Sequence, residues 1–187
     1  TTEIYTLSLH DALPICALVH GHVLFSQKAD RRFGGRYAYV TMLRDPAARV
    51  ISNFRAAKRA GYVGDEFAAY IETDVGRAHA THNLRYFSGR PLIAPGGEET
   101  AIVEAKGNID KFAVIGFVDA MEDFLDRFEA VFGARLAVGR YNVGKGEALE
   151  LTAEERRRLD AACAADRTLH EHARAAMARA KLEALAG

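Results

Sequence analysis

The sequence predicts an α/β domain with a mainly parallel sheet flanked by helices. Three observations carry this. Tyr37–Leu43 (YAYVTML) and Phe112–Phe117 (FAVIGF) are short, nearly continuous apolar runs, the pattern of strands buried on both faces. Each is followed at once by signals that start a helix, and a further helix opens at Thr152. Strands alternating with helical segments favour parallel pairing.

The elements are read in order. Val19–Phe25, apolar around His20 and His22, reads as a strand or strand end. Lys28–Arg36 is basic, contains Gly34-Gly35 and reads as a loop. After Tyr37–Leu43, Asp45 suits an N-cap and Pro46 the first helical position. Val50, Ile51 and Phe54 mark the apolar face of a helix to about Ala60. Asp65–Val75 and Arg77–Phe87 read as two more helices, Ser88–Glu98 as a loop and Thr100–Asn108 as a helix. After Phe112–Phe117, Asp119 with Glu122 reads as a capping pair for a helix ending at Gly133. Leu136–Asn142 reads as extended and Asn142–Gly146 as a glycine-rich loop. Thr152-Ala-Glu-Glu155 is a capping box opening one long helix to about Leu185, with Leu159, Leu169, Ala173 and Met177 facing the core.

Composition sets limits. The chain has 187 residues, 49% of them apolar, with 25 basic and 25 acidic residues. That balance argues against a general binder of nucleic acid or membrane surfaces. No apolar run approaches the roughly 18 residues that span a bilayer. Two cysteines, Cys16 and Cys163, exclude a disulfide scaffold or a Cys-rich zinc module. Few cysteines and no credible signal segment lead us to expect a cytoplasmic protein.

The chemistry concentrates in Tyr37–Arg55. A buried strand delivers Arg44 to the carboxyl edge of a sheet, where open α/β folds bind ligands. Its planar fork suits a phosphate. Ser52, eight residues on, adds a hydroxyl on the side of Arg49. The alternative is that Arg44 pairs with an acid at the helix start while Ser52 points to solvent. In His20-Gly-His22, residues two apart in a strand share a face, so both imidazoles can line one pocket. Two half-exposed histidines with ordinary hydrogen bonds are the alternative. Zinc is disfavoured, because His79, His82, His170 and His172 lack ligand spacing. Lys145, in a glycine loop, is either an anion contact or a solvated lysine. Arg31, Arg32, Arg36, Arg55, Lys58 and Arg59 make a basic neighbourhood around the proposed site.

The stretch Leu43-Arg-Asp-Pro46, with Arg49 and Ser52 following, resembles the 3′-phosphate-binding signature of sulfotransferases that use 3′-phosphoadenosine 5′-phosphosulfate (PAPS). The likeness is to carbohydrate sulfotransferases of the heparan 2-O type and their bacterial relatives. Ala80–Gly89, Phe112–Phe132, Arg140-Tyr-Asn142-Val and Asp166–Ala173 are similar to further family segments in the same order. Two departures are Asp119 near a usual Glu and His170 in place of a Tyr. The resemblance implies a P-loop-NTPase-like sulfotransferase fold. It implies Arg44 and Ser52 on the cofactor's 3′-phosphate; Arg49 belongs to the same signature as a further contact, and the glycine-loop Lys145 is a candidate contact with the cofactor phosphate on its own reading. It implies His22, or alternatively His20, as the base that takes a proton from the acceptor hydroxyl, which a neutral imidazole can do near neutral pH. The acceptor it implies is a hydroxylated molecule such as a glycan.

Thr1–Ile15 (TTEIYTLSLHDALPI) resembles the in-frame translation of a sequencing-adapter oligonucleotide. We therefore expect residues 1–15 to be foreign and residues 16–187 to be the C-terminal part of one sulfotransferase domain. The family's Gly-x-x-Lys-x-Gly-Thr loop, which holds the 5′-phosphosulfate, does not occur in the sequence. On that reading the first strand and donor loop are missing, and sulfuryl transfer by this chain is expected to be poor. Two rivals remain: a P-loop nucleotide kinase relative and a noncatalytic helical interaction domain.

Overall fold

The structure, a computed structural model, describes residues 21–94, 96–137 and 149–186. The elements are α1 (Gln27–Phe33), β1 (Tyr39–Leu43), α2 (Pro46–Arg59), α3 (Phe67–Ile71), α4 (Asp74–Ala80) and α5 (His82–Ser88). They continue with α6 (Glu98–Ile109), β2 (Phe112–Phe117), α7 (Met121–Phe132), α8 (Ala153–Ala162) and α9 (Ala164–Ala186). Among the described residues the fold is mixed α/β and mostly helical, with one two-stranded sheet.

Both apolar runs form strands, and they pair in parallel from Tyr39↔Phe112 to Leu43↔Phe117. The register shifts between Tyr39 and Val40, leaving Ala113 as the extra residue of β2. Alternation along β2 divides the interior. Val114 packs with Phe124 and Leu125 of α7 on one face. Ile115 and Phe117 join Leu43, Leu84, Ile109 and Leu169 on the other, under α5, α6 and α9. A third apolar cluster joins Val50 and Phe54 of α2 to Phe67, Tyr70 and Ile71 of α3, Ala80 of α4, Leu159 and Cys163. Cys163, at the break between α8 and α9, is fully buried.

Several expectations need correction. Residues 21–25 form no strand. The basic stretch read as a loop is helix α1, because Ser26 caps it by accepting the Ala29 N–H at 3.2 Å. The Arg77–Phe87 helix is two helices that meet at Thr81. The C-terminal helix begins with the expected capping box but breaks at Cys163. Asp119 caps nothing: the N-cap of α7 is Ala120, which makes no side-chain capping bond. Gly133 ends α7 in the left-handed conformation with φ 70°, as expected. His20, Lys145, Arg140 and Asn142 lie outside the described residues, and of the expected extended segment only 136–137 are described, without regular structure. No described helix is long and apolar enough to cross a membrane.

Candidate functional site

β1 ends at Leu43 and hands the chain to α2 through Arg44 and Asp45. The Asp45 carboxylate accepts the Ala48 N–H at 2.8 Å, and Pro46 occupies the first turn. The only acid beside Arg44 in sequence is therefore engaged in capping. Arg44 itself is exposed and makes no hydrogen bond or ion pair among the described residues. The alternative in which Arg44 pairs with an acid at the helix start is not what the structure holds. Ser52 lies half-buried on α2, and its hydroxyl has no hydrogen bond among the described residues.

Arg49 departs from the expectation of a surface contact and turns inward. Its Nη1 donates to Asn83 Oδ1 at 2.6 Å and its Nη2 to Asp166 Oδ2 at 3.4 Å. Asp166 is wholly buried and also accepts the N–H groups of Asn83 (2.9 Å) and Leu84 (2.8 Å). Burial pushes the Asp166 carboxyl up to about 6, although Arg49 and the two N–H groups oppose it. Burial also lowers the Arg49 pKa. Desolvation thus outweighs attraction for both partners, consistent with the long contact. Arg49 Nε and Asn83 Nδ2 are buried without acceptors among the described residues.

His22 is exposed and sits edge-on to Tyr86, ring centres 6.3 Å apart. Tyr86 stacks on His82 at 4.3 Å. The His82 pKa falls to about 4, chiefly through burial and then through Arg49, His22, His79 and Arg85. His79 is lowered for similar reasons, and its Nδ1 lies 2.5 Å from the Tyr70 hydroxyl. Burial pushes that phenol up to about 12. The structure therefore brings His22 near His82 and Tyr86, and Arg49 near Asn83. Sequence reading did not assign His82, Tyr86 or Asp166. Asp166 was legible in principle, since it shares a helical face with Leu159, Cys163, Leu169 and Ala173.

The carboxyl end of β2 is closed by α9. Arg174 Nη2 reaches both Asp119 oxygens at 2.6 Å and lies over the Phe117 ring, 4.2 Å from its centre. The hydrogen bond from Arg174 holds the Asp119 carboxyl below its usual range. His170 meets Phe117 edge-on at 5.2 Å, and burial lowers its pKa. Burial pushes the Cys163 thiol up to about 12, which favours the protonated form near neutral pH. No three His, Cys, Asp or Glu side chains among the described residues are grouped to hold a metal ion.

Comparison of the chain with protein families, with curated proteins and with solved structures finds no match.

Proposed function

We propose that this chain binds the nucleotide end of PAPS and belongs to a sulfotransferase that moves a sulfuryl group to a hydroxyl of a carbohydrate or similar acceptor. One observation carries the reading. Among the described residues Arg44 stands exposed and unpaired at the carboxyl end of a strand in a parallel pair, with the Ser52 hydroxyl, likewise without a partner there, on the helix that follows. A phosphate dianion supplies the acceptors that both groups lack. The resemblance of Leu43–Ser52 to a 3′-phosphate signature names the ligand.

The other residues take supporting roles. Arg49 does not reach out to the ligand; it ties α2 to α5 and α9 through Asn83 and Asp166, and so fixes the helix that carries Ser52. Its charge still adds to the positive field beside Arg44. Asn83 and Asp166 belong to two of the other stretches that carry the resemblance, and their contact with Arg49 supports reading those stretches as one unit. His22, exposed beside Tyr86, is the group available to take the acceptor's proton. Bound PAPS would supply an activated sulfuryl group with a phosphate leaving group.

Calorimetric titration with 3′,5′-adenosine bisphosphate is the test. The chain should bind it saturably and more tightly than 5′-adenosine monophosphate, which lacks the 3′-phosphate. Arg44→Ala should weaken binding by about 1.5–3 kcal/mol, the value of a charged hydrogen bond, or roughly one to two orders of magnitude in Kd. It should also erase the preference between the two nucleotides. Equal affinity in the mutant removes Arg44 from the role. No saturable binding by the unmodified chain favours the noncatalytic interaction domain.

A further inference from the structure

The amino ends of the two strands carry a feature that the proposed cofactor role does not use. An open groove of about 610 Å³ lies there, lined by Asp30, Gly34–Tyr39, Lys111 and Ala113. Five strand residues, roughly 15 Å, separate this end of β1 from Arg44. Four of its lining residues, Gly34, Gly35, Ala38 and Ala113, are small. Ala38 precedes β1, and Ala113 is the residue left over by the register shift. Gly35 opens onto free space: a Cβ built there meets no atom within 4 Å.

Its charge is lopsided. The single carboxylate among its described lining residues, Asp30, is satisfied internally by Lys111 Nζ at 2.6 Å and by the Tyr39 hydroxyl. Arg36 on the rim, and Lys28, Arg31 and Arg32 on α1, are exposed and meet no carboxylate among the described residues. By contrast, Arg90, Arg135, Arg167 and Arg174 each contact an acid within 3.0 Å. Counting Lys111 against Asp30, the described residues of this corner hold a surplus of four positive charges on a chain whose formal charge is zero. Cations gathered around a concave surface raise the local concentration of anions. A tyrosine at the head of β1 gives the cavity an apolar wall beside its charges.

We propose that this groove is a second anion site, taking the phosphate or sulfate ester of a small ring-bearing molecule. Arg36 holds the ester oxygens, and the α1 cations draw the ligand in. The chemistry is shared by phosphate and sulfate esters, so the probes must separate them.

The full chain, labelled with ¹⁵N, is titrated with phenyl phosphate, with phenyl sulfate, and with phenol as the uncharged control. The expected result is saturable movement of the Gly34, Gly35, Arg36 and Tyr37 amide signals with at least one ester and none with phenol. The tighter ester identifies the ligand class. Arg36→Ala should weaken that binding by about tenfold or more, and the triple change of Lys28, Arg31 and Arg32 to Gln by several-fold. Ala113→Leu, which fills the groove without altering charge, should weaken it too, whereas Arg44→Ala should leave it unchanged. Absence of saturable shifts at these amides overturns the proposal. So does equal movement with phenol, or full retention of binding in both Arg36→Ala and Ala113→Leu variants whose spectra show them folded. Loss of bisphosphate binding in Arg44→Ala tests the other site alone, so the two readings fail separately.

Discussion

The carboxylate of Asp166 accepts the backbone N–H of Asn83 at 2.9 Å across 83 positions of sequence. It takes the Leu84 N–H with its other oxygen. Helix α5 therefore finds an acceptor for its first-turn donors not in its own N-cap, Thr81, whose hydroxyl donates back to the Arg77 carbonyl at 2.9 Å, but in the distant helix α9. Arg49 reaches the same two residues from α2. Three helices far apart in the chain are pinned at one buried point.

Removing Arg49 should be costly. Arg49→Leu leaves Asp166 buried without its counter-charge, and loss of one member of a buried pair typically costs about 3–5 kcal/mol. Arg49→Lys keeps the charge but cannot reach two acceptors with a planar fork, so its cost should be smaller. Urea denaturation of the three proteins checks the order. Equal stability of Arg49→Leu and the parent would show that the network contributes little.

Acid stability should show two opposing slopes. Asp166 has its folded pKa raised from 3.8 to about 6, so its protonation favours the fold; that contribution is full below 3.8 and lost as pH rises through 6. His82 is lowered from 6.5 to about 4, so its contribution is full above 6.5 and lost as pH falls through 4. Between pH 4 and 6 the two partly cancel. Asp166→Asn should therefore steepen the loss of stability on acidification, and His82→Gln should flatten it. The slope of unfolding free energy against pH is the quantity to compare, because it is insensitive to a constant cost of either substitution. Unchanged slopes in both variants would contradict the assignment.

Gly116 lies in β2 against α7. A Cβ there would meet Phe124 at 2.5 and 2.7 Å and the Met42 methyl at 2.8 Å. Gly116→Ala should destabilise by about 1–3 kcal/mol, the usual cost of overpacking. Thermal or urea unfolding measures it directly. Enlarging Gly35 makes the contrast, since open space surrounds it. No loss in Gly116→Ala would mean that the α7 packing is looser than the distances imply.

Both strands could be read from the sequence as β-prone apolar runs between turn signals, although the same reading of Val19–Phe25 met no strand over residues 21–25. The capping of α2 by Asp45, the Thr152–Glu155 box and the stop at Gly133 were equally readable, because each is a local bond among neighbours. What escaped depends on distant partners. The helix α1 hides in a basic stretch that ends in two glycines. Asp119 matches a cap by spacing, yet Arg174, 55 positions away, takes its carboxylate. Arg49 has the look of a surface residue until Asn83 and Asp166 are folded beside it. At the candidate site, Arg44 is exposed and Ser52 half-buried on α2, while the His82–Tyr86 stack follows from their i,i+4 spacing on one helix but its place beside His22 does not.

The parallel pairing of β1 with β2 also governs the order of events on the ribosome. At synthesis rates of roughly 5–20 residues per second, β2 follows β1 by several seconds. Five helices emerge in that interval. The edge of β1 must then wait, its backbone unpaired, while those helices collapse around it. A slow stretch of translation between them would lengthen the exposure, so the nascent chain is at its most adhesive before Phe112 emerges.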